Sequence, residues 1–171
     1  MDTQKTLLLT GASRGIGHAT VSFFSEKNWE IITCSREAPP EECLRDLNWS
    51  HHITTDLADT NSIDAFIKEA NAFLGNRPLH GLVNNAGWSP KSPIQERLGC
   101  LNGNLDAWRT VFELNFFAPL RLARGFASSL TKGKGSIKYH LNSRTCYTSV
   151  CRVCVQYIES CIGFSYARIG K

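Results

Sequence analysis

The octapeptide Thr10-Gly11-Ala12-Ser13-Arg14-Gly15-Ile16-Gly17 constrains this chain more than any other feature. It follows an apolar run at residues 4–10 and precedes residues 16–27, whose apolar positions recur at helical spacing. A glycine-rich turn between a strand and a helix permits a tight reversal, close backbone approach to a pyrophosphate and tight helix packing. The helix N-terminus adds N–H donors and the positive end of a dipole. The bland alternative is a glycine-rich turn that binds nothing, so the rest of the chain has to decide.

Residues 30–34 and 51–55 read as a second and third strand, and residues 60–74 as a helix that Asp59 or Thr60 caps. Residues 79–84 read as a fourth strand. After a loop rich in Gly, Pro and Ser, residues 105–130 form one long helical stretch, with Phe116 and Phe117 expected in the core, and Gly135-Ser136-Ile137 opens a fifth strand. Strands alternating with helices predict an α/β fold, a Rossmann-like doubly wound parallel sheet with helices on both faces. At 171 residues and 42% hydrophobic, the chain suffices for one domain with a core. No apolar run is long enough to cross a bilayer and the opening residues lack a signal-peptide pattern, so a soluble, cytoplasmic protein without a membrane partner is expected.

Further motifs follow in order. Asp56-Leu57 comes after the third strand, Asn84-Asn85-Ala86-Gly87 after the fourth, and Asn115 lies within the long helical stretch. Together with the octapeptide, residues 5–137 resemble the classical short-chain dehydrogenases/reductases. The octapeptide is similar to that family's Thr-Gly-x-x-x-Gly-x-Gly cofactor motif, with Thr10, Gly11, Ser13, Arg14, Gly15, Ile16 and Gly17 in the matching places. The resemblance implies that Asp56, with Leu57 beside it, meets the adenine, and that Asn84, Asn85, Ala86 and Gly87 line the cofactor while tying the central strands together. It implies that Asn115, the helix Asn of the family's Asn-Ser-Tyr-Lys set, kinks its helix and positions a water in a proton relay. It further implies hydride transfer between a nicotinamide and a small-molecule carbonyl or alcohol, and a homo-oligomer whose assembly is doubtful in this chain. A 3-oxoacyl thioester, a steroid-like ketone and a sugar alcohol all fit as substrates.

Cofactor choice rests on Ser35 and Arg36, which end the second strand where an NAD-preferring domain carries an acid for the ribose hydroxyls. Arg36 with Arg14 predicts NADP(H) over NAD(H), since an arginine accommodates the 2′-phosphate.

Past Ile137 the character changes. Residues 1–137 carry 14 basic and 14 acidic residues, so of the totals, 19 and 15, the remaining 5 basic and 1 acidic fall in residues 138–171. The balanced main part gives no reason to expect a nucleic-acid partner. Four of the seven cysteines, Cys146, Cys151, Cys154 and Cys161, also crowd into this stretch, which shows no helical or alternating periodicity. One Cys-x-x-Cys unit with irregular neighbours is a weak metal signal, so no metal is expected, although the reading stays open.

The family also needs a Ser on the fifth strand and a Tyr followed four residues on by Lys. Tyr139, Tyr147, Tyr157 and Tyr166 are followed at that distance by Ser143, Cys151, Cys161 and Gly170. Read one base out of step, the codons implied by residues 153–167 permit Ser-Ala-Tyr-Ser-Thr-Ser-Lys-Ala-Ala-Leu, and those of residues 138–144 permit Asn-Ile-Thr-Ser-Ile-Ala-Gly. The expectation is an incomplete domain at residues 1–137, an aberrant, out-of-frame and disordered tail at 138–171, and no activity. Loss of the last strands and helices would bare apolar surface on residues 105–130 and the central strands. A non-catalytic nucleotide-binding or interaction module is the competing class.

Overall fold

The computed structural model describes residues 4–41, 43, 49–92, 94 and 104–139. Ser143, the tail cysteines and the rest of the expected tail lie outside them. Strand β1 (Thr6–Thr10) is buried along its whole length, as a strand covered on both faces must be, and its run of three leucines supplies the apolar surface. Helix α1 (Gly15–Ser25) leads to β2 (Glu30–Ser35), and β3 is Trp49–Thr54. Helix α2 (Thr60–Leu74) starts at Asp59, whose carboxylate accepts from the Asn61 and Ser62 N–H groups. It buries Ile63, Phe66, Ala70 and Leu74 along one stripe. Strand β4 (Gly81–Asn84) and, past the next helices, β5 (Ser136–Tyr139) complete a parallel sheet in the order β3-β2-β1-β4-β5.

Helices cover both faces of this Rossmann-like sheet. On one, Val21 of α1 packs with Leu9, Ala12 and Ile31. Leu8, Ile32 and Leu82 alternate to the other face, where they are fully buried. Phe66 of α2 meets Phe126 edge to face at 6.1 Å.

The single helix expected at residues 105–130 is broken. Helix α3 (Leu105–Phe112) runs into a π-helical turn at Glu113–Phe117, then α4 (Ala118–Gly125) and, past Phe126, α5 (Ala127–Gly133). Pro119 supplies the cause of the π-helical turn. It has no N–H to give the Asn115 carbonyl four residues back, and Ala118 N–H donates to Glu113, five back. Phe116 is half-buried and Phe117 is 42% exposed, so the expectation of two core phenylalanines fails for the second. Strand β5 runs two residues beyond Ile137, pairing Lys138 with Val83 and Tyr139 with Asn84, because a ladder of main-chain bonds needs no side-chain pattern. Expected apolar exposure is found on α3, which buries none of its residues, but the central strands are covered.

Candidate functional site

Strand order reverses between β1 and β4, and the C-terminal ends of the strands there open the crevice in which such sheets take ligands. All four sequence motifs before the long helix reach this edge. The octapeptide leaves β1, Ser35 ends β2 with Arg36 next, Asp56 follows β3, and Asn84 ends β4 with residues 85–87 after it.

The glycine turn is built for close approach. Gly11 has φ 69°, a left-handed geometry that costs glycine little, and a Cβ there would meet the Ala86 Cα at 2.9 Å. A Cβ on Gly17 would lie 2.1 Å from the Gly11 carbonyl oxygen, so the helix start and the turn touch directly. Arg14 holds the N-cap of α1 and offers no acceptor, and the first turn carries no acid. The first N–H groups of α1 are therefore left without a side-chain cap, the arrangement that suits an anion such as a pyrophosphate. Ile16 is 55% exposed beside them. Among the described residues, neither the Arg14 nor the Arg36 side chain has an ion pair or hydrogen bond, and both residues are exposed.

Thr10 and Asn85 lock this turn to β4. The Thr10 hydroxyl accepts from the N–H groups of Asn85 and Ala86, each at 3.0 Å, while the Asn85 amide donates to the carbonyls of Thr10 (3.0 Å) and Gly11 (2.9 Å). Asn85 is thus the strand tie, and both hydrogens of its side-chain amide are occupied. Asn84 is 4% exposed, and neither atom of its amide has a partner. Gly87 is exposed and Ala86 half-buried.

On the far side, Gly11 and Ala12 donate to the Cys34 carbonyl at 2.8 and 3.4 Å, which sets the turn against the end of β2. Burial pushes the Cys34 thiol up to about 12, so this cysteine packs and does not react. Ser35 is buried, and its hydroxyl donates to the Glu37 carbonyl at 2.7 Å. That hydrogen is not available to a phosphate. Asp56 is exposed and accepts from Ala58 N–H at 2.9 Å, while Leu57 is 5% exposed and contributes its side chain to the core.

Asn115 sits inside the π-helical turn and faces the loop after β4. Its Oδ1 accepts from Trp88 N–H at 2.9 Å and its Nδ2 donates to the Trp88 carbonyl at 2.7 Å. One donor and one acceptor site of its side chain go to a single backbone residue. Its own carbonyl, facing Pro119, has no donor four residues on. The sequence reading missed Trp88, Pro119 and His52, whose ring meets Thr33 and Ser35. Pro119 was legible as a proline within a helical pattern, whereas the other two depend on contacts between distant residues. Among the described residues, no three His, Cys, Asp or Glu side chains converge on a metal-sized site, and no helix is long and apolar enough to cross a membrane.

The short chain dehydrogenase family profile matches residues 5–139. Protein FixR of Bradyrhizobium diazoefficiens is 46% identical over 134 residues, covering 78% of this chain and 48% of that protein. A short chain dehydrogenase/reductase structure from Brucella ovis, in complex with a partially ordered NAD, aligns with a TM-score of 0.71 at 45% identity. The alignment covers 79% of this chain and 61% of that one. A Beutenbergia cavernae structure with bound NADP at low occupancy aligns with a TM-score of 0.64 at 27% identity, over 79% and 53%. This chain belongs to the short-chain dehydrogenase family. It spans about half the length of the curated relatives it matches.

Proposed function

We propose that residues 1–137 form the NADP(H)-binding part of an oxidoreductase that exchanges hydride with a carbonyl or alcohol substrate, a 3-oxoacyl thioester being one candidate. The carrying observation is a pair of cations, Arg14 and Arg36, whose side chains have no partner among the described residues, on two turns that the Gly11–Cys34 bond holds together, beside a helix N-terminus without a side-chain cap. The α1 N–H groups would hold the pyrophosphate, the arginines the 2′-phosphate, and Asp56 the adenine amino group. The bound nicotinamide would supply or accept the hydride. Relatives hold both NAD and NADP, so these arginines carry the preference here. A water that Asn115 positions would bind either the amide sites that Trp88 leaves free or the main-chain carbonyl, to which Pro119 gives no N–H.

No tyrosine of residues 138–171 has a lysine four residues on, so this stretch provides no proton donor of the family's type. We read it as translated out of frame and residues 1–171 as inactive alone. That same absence favours, as a second reading, a nucleotide-binding module without chemistry.

Titration calorimetry of NADP⁺ and NAD⁺ tests the cofactor reading. A charge-assisted phosphate contact predicts a preference for NADP⁺ of roughly tenfold or more, lost in Arg36→Ala and weakened in Arg14→Ala. Equal affinities in the wild type would refute it.

A further inference from the structure

We infer that His52, on β3, is a positioning residue for the 2′-phosphate site: through Ser35 it holds the turn that presents Arg36. The inference rests on the NADP(H) reading above.

Thr33 and Ser35 alternate to one face of β2, and the β2–β3 register sets His52 directly across from Thr33. The His52 ring spans both hydroxyls, with Nδ1 2.8 Å from Thr33 Oγ1 and Nε2 3.3 Å from Ser35 Oγ. Ser35 has one hydroxyl hydrogen, and it goes to the Glu37 carbonyl at 2.7 Å. The His52 contact must therefore be donated by Nε2–H to Ser35. A neutral ring then leaves Nδ1 bare to accept from the Thr33 hydroxyl. Every group in the series has one direction: Thr33 to His52, His52 to Ser35, Ser35 to Glu37. Burial first, and the neighbouring His51 second, lower the His52 pKa from its ordinary value, which favours this neutral form.

What the series controls is local. The β2 main chain is fixed up to Ser35, whose carbonyl accepts from Thr55 N–H at 2.9 Å. Arg36 follows, exposed and without a described partner. The Ser35–Glu37 bond brackets Arg36, closing the turn from its far side. Without it the arginine keeps its charge but loses its anchorage, so a 2′-phosphate pays for the ordering of that turn when it binds. The adenosine 5′-phosphate does not depend on Arg36 and should not feel the change.

The full 171-residue chain is titrated with 2′,5′-ADP and with 5′-AMP, probes that differ in the 2′-phosphate alone. His52→Leu and Ser35→Ala are expected to weaken 2′,5′-ADP about five- to tenfold, the worth of a hydrogen bond or two, and to leave 5′-AMP within about twofold. His52→Gln, which retains a donor toward Ser35, is expected to restore most of the discrimination. Equal weakening of both probes in a cooperatively melting His52→Leu or Ser35→Ala chain, or no change in their ratio, overturns the inference. If Arg36→Ala abolishes the discrimination while His52→Leu and Ser35→Ala keep it, the role of His52 fails and the NADP(H) reading stands. A wild-type chain that does not discriminate removes both.

Discussion

Asn84 and Asn85 stand side by side at the end of β4 and meet opposite fates. Asn85 ties the glycine turn to the sheet through its amide and main chain, whereas the Asn84 amide is buried with no partner. A buried amide without a hydrogen bond costs the folded state roughly 1–3 kcal/mol. Asn84→Leu, of similar size and fully apolar, is therefore expected to stabilise the chain by about 1 kcal/mol, read as a higher urea midpoint at unchanged slope. A lower midpoint would show that Asn84 has a partner in solution. Sequence alone set both residues in one motif with one role. Motif and spacing revealed the residue types, but successive strand residues point to opposite faces, and only the sheet says which goes where. Ser35 teaches the same lesson: its position at the cofactor edge was legible, the commitment of its hydrogen to Glu37 was not.

At the scale of elements, apolar spacing located the strands and α2 to within two residues, because parallel strands and an amphipathic helix write their burial into their sequence. It failed on residues 105–130, where the break comes from an absent donor and not from any loss of apolar pattern. Restoring that donor is a direct test. In a chain that carries out the reaction, Pro119→Ala lets residue 119 bond the Asn115 carbonyl and close it to water. The expected outcome is kcat reduced at least about tenfold, the scale of a damaged proton transfer, with the NADP(H) Kd unchanged. An unaltered kcat would remove the Asn115 carbonyl from the proposed relay. A second element-level test concerns the strand ends opposite the site. Thr6 N–H donates to His80 Nδ1 at 3.0 Å, which requires that nitrogen to be bare. Burial, then Lys5, lowers the His80 pKa from 6.5, as burial and His51 lower that of His52. Below the ordinary histidine value the unfolded chain binds protons that the folded chain resists, so stability falls as pH drops through that range. The urea midpoint is expected to be lower at about pH 5.5 than at about pH 7.5, and less so in His80→Asn, which keeps an acceptor but does not titrate. An identical pH dependence in His80→Asn would exclude the contact as a source.

The whole molecule is legible in sequence as far as the proposed cofactor cradle and no further, since that edge is local turn chemistry while the proposed reaction calls for a Tyr-x-x-x-Lys that residues 138–171 do not contain. The last prediction follows: the 171-residue chain reduces nothing, and a chain continued after residue 137 in the alternative frame does. Proton transfer by a positioned side chain is worth about 10² to 10⁴ in rate, and the alternative frame permits both the Ser and the Tyr-x-x-x-Lys that would provide it. Asn115 cannot stand in, because its amide is held at both ends by Trp88 and is not an acid. The shift is also compatible with the fold. It replaces Lys138 and Tyr139 of β5 with Asn and Ile, and a strand paired through its main chain to Val83 and Asn84 accepts either pair. Both chains are mixed with NADPH and a panel of ketones and 3-oxoacyl thioesters, and the loss of cofactor absorbance is followed. Turnover by the continued chain alone is expected, abolished when its new tyrosine is replaced by phenylalanine. Turnover by the 171-residue chain would refute the claim of inactivity, and a folded continued chain that binds NADPH yet leaves every substrate untouched would favour the nucleotide-binding module instead.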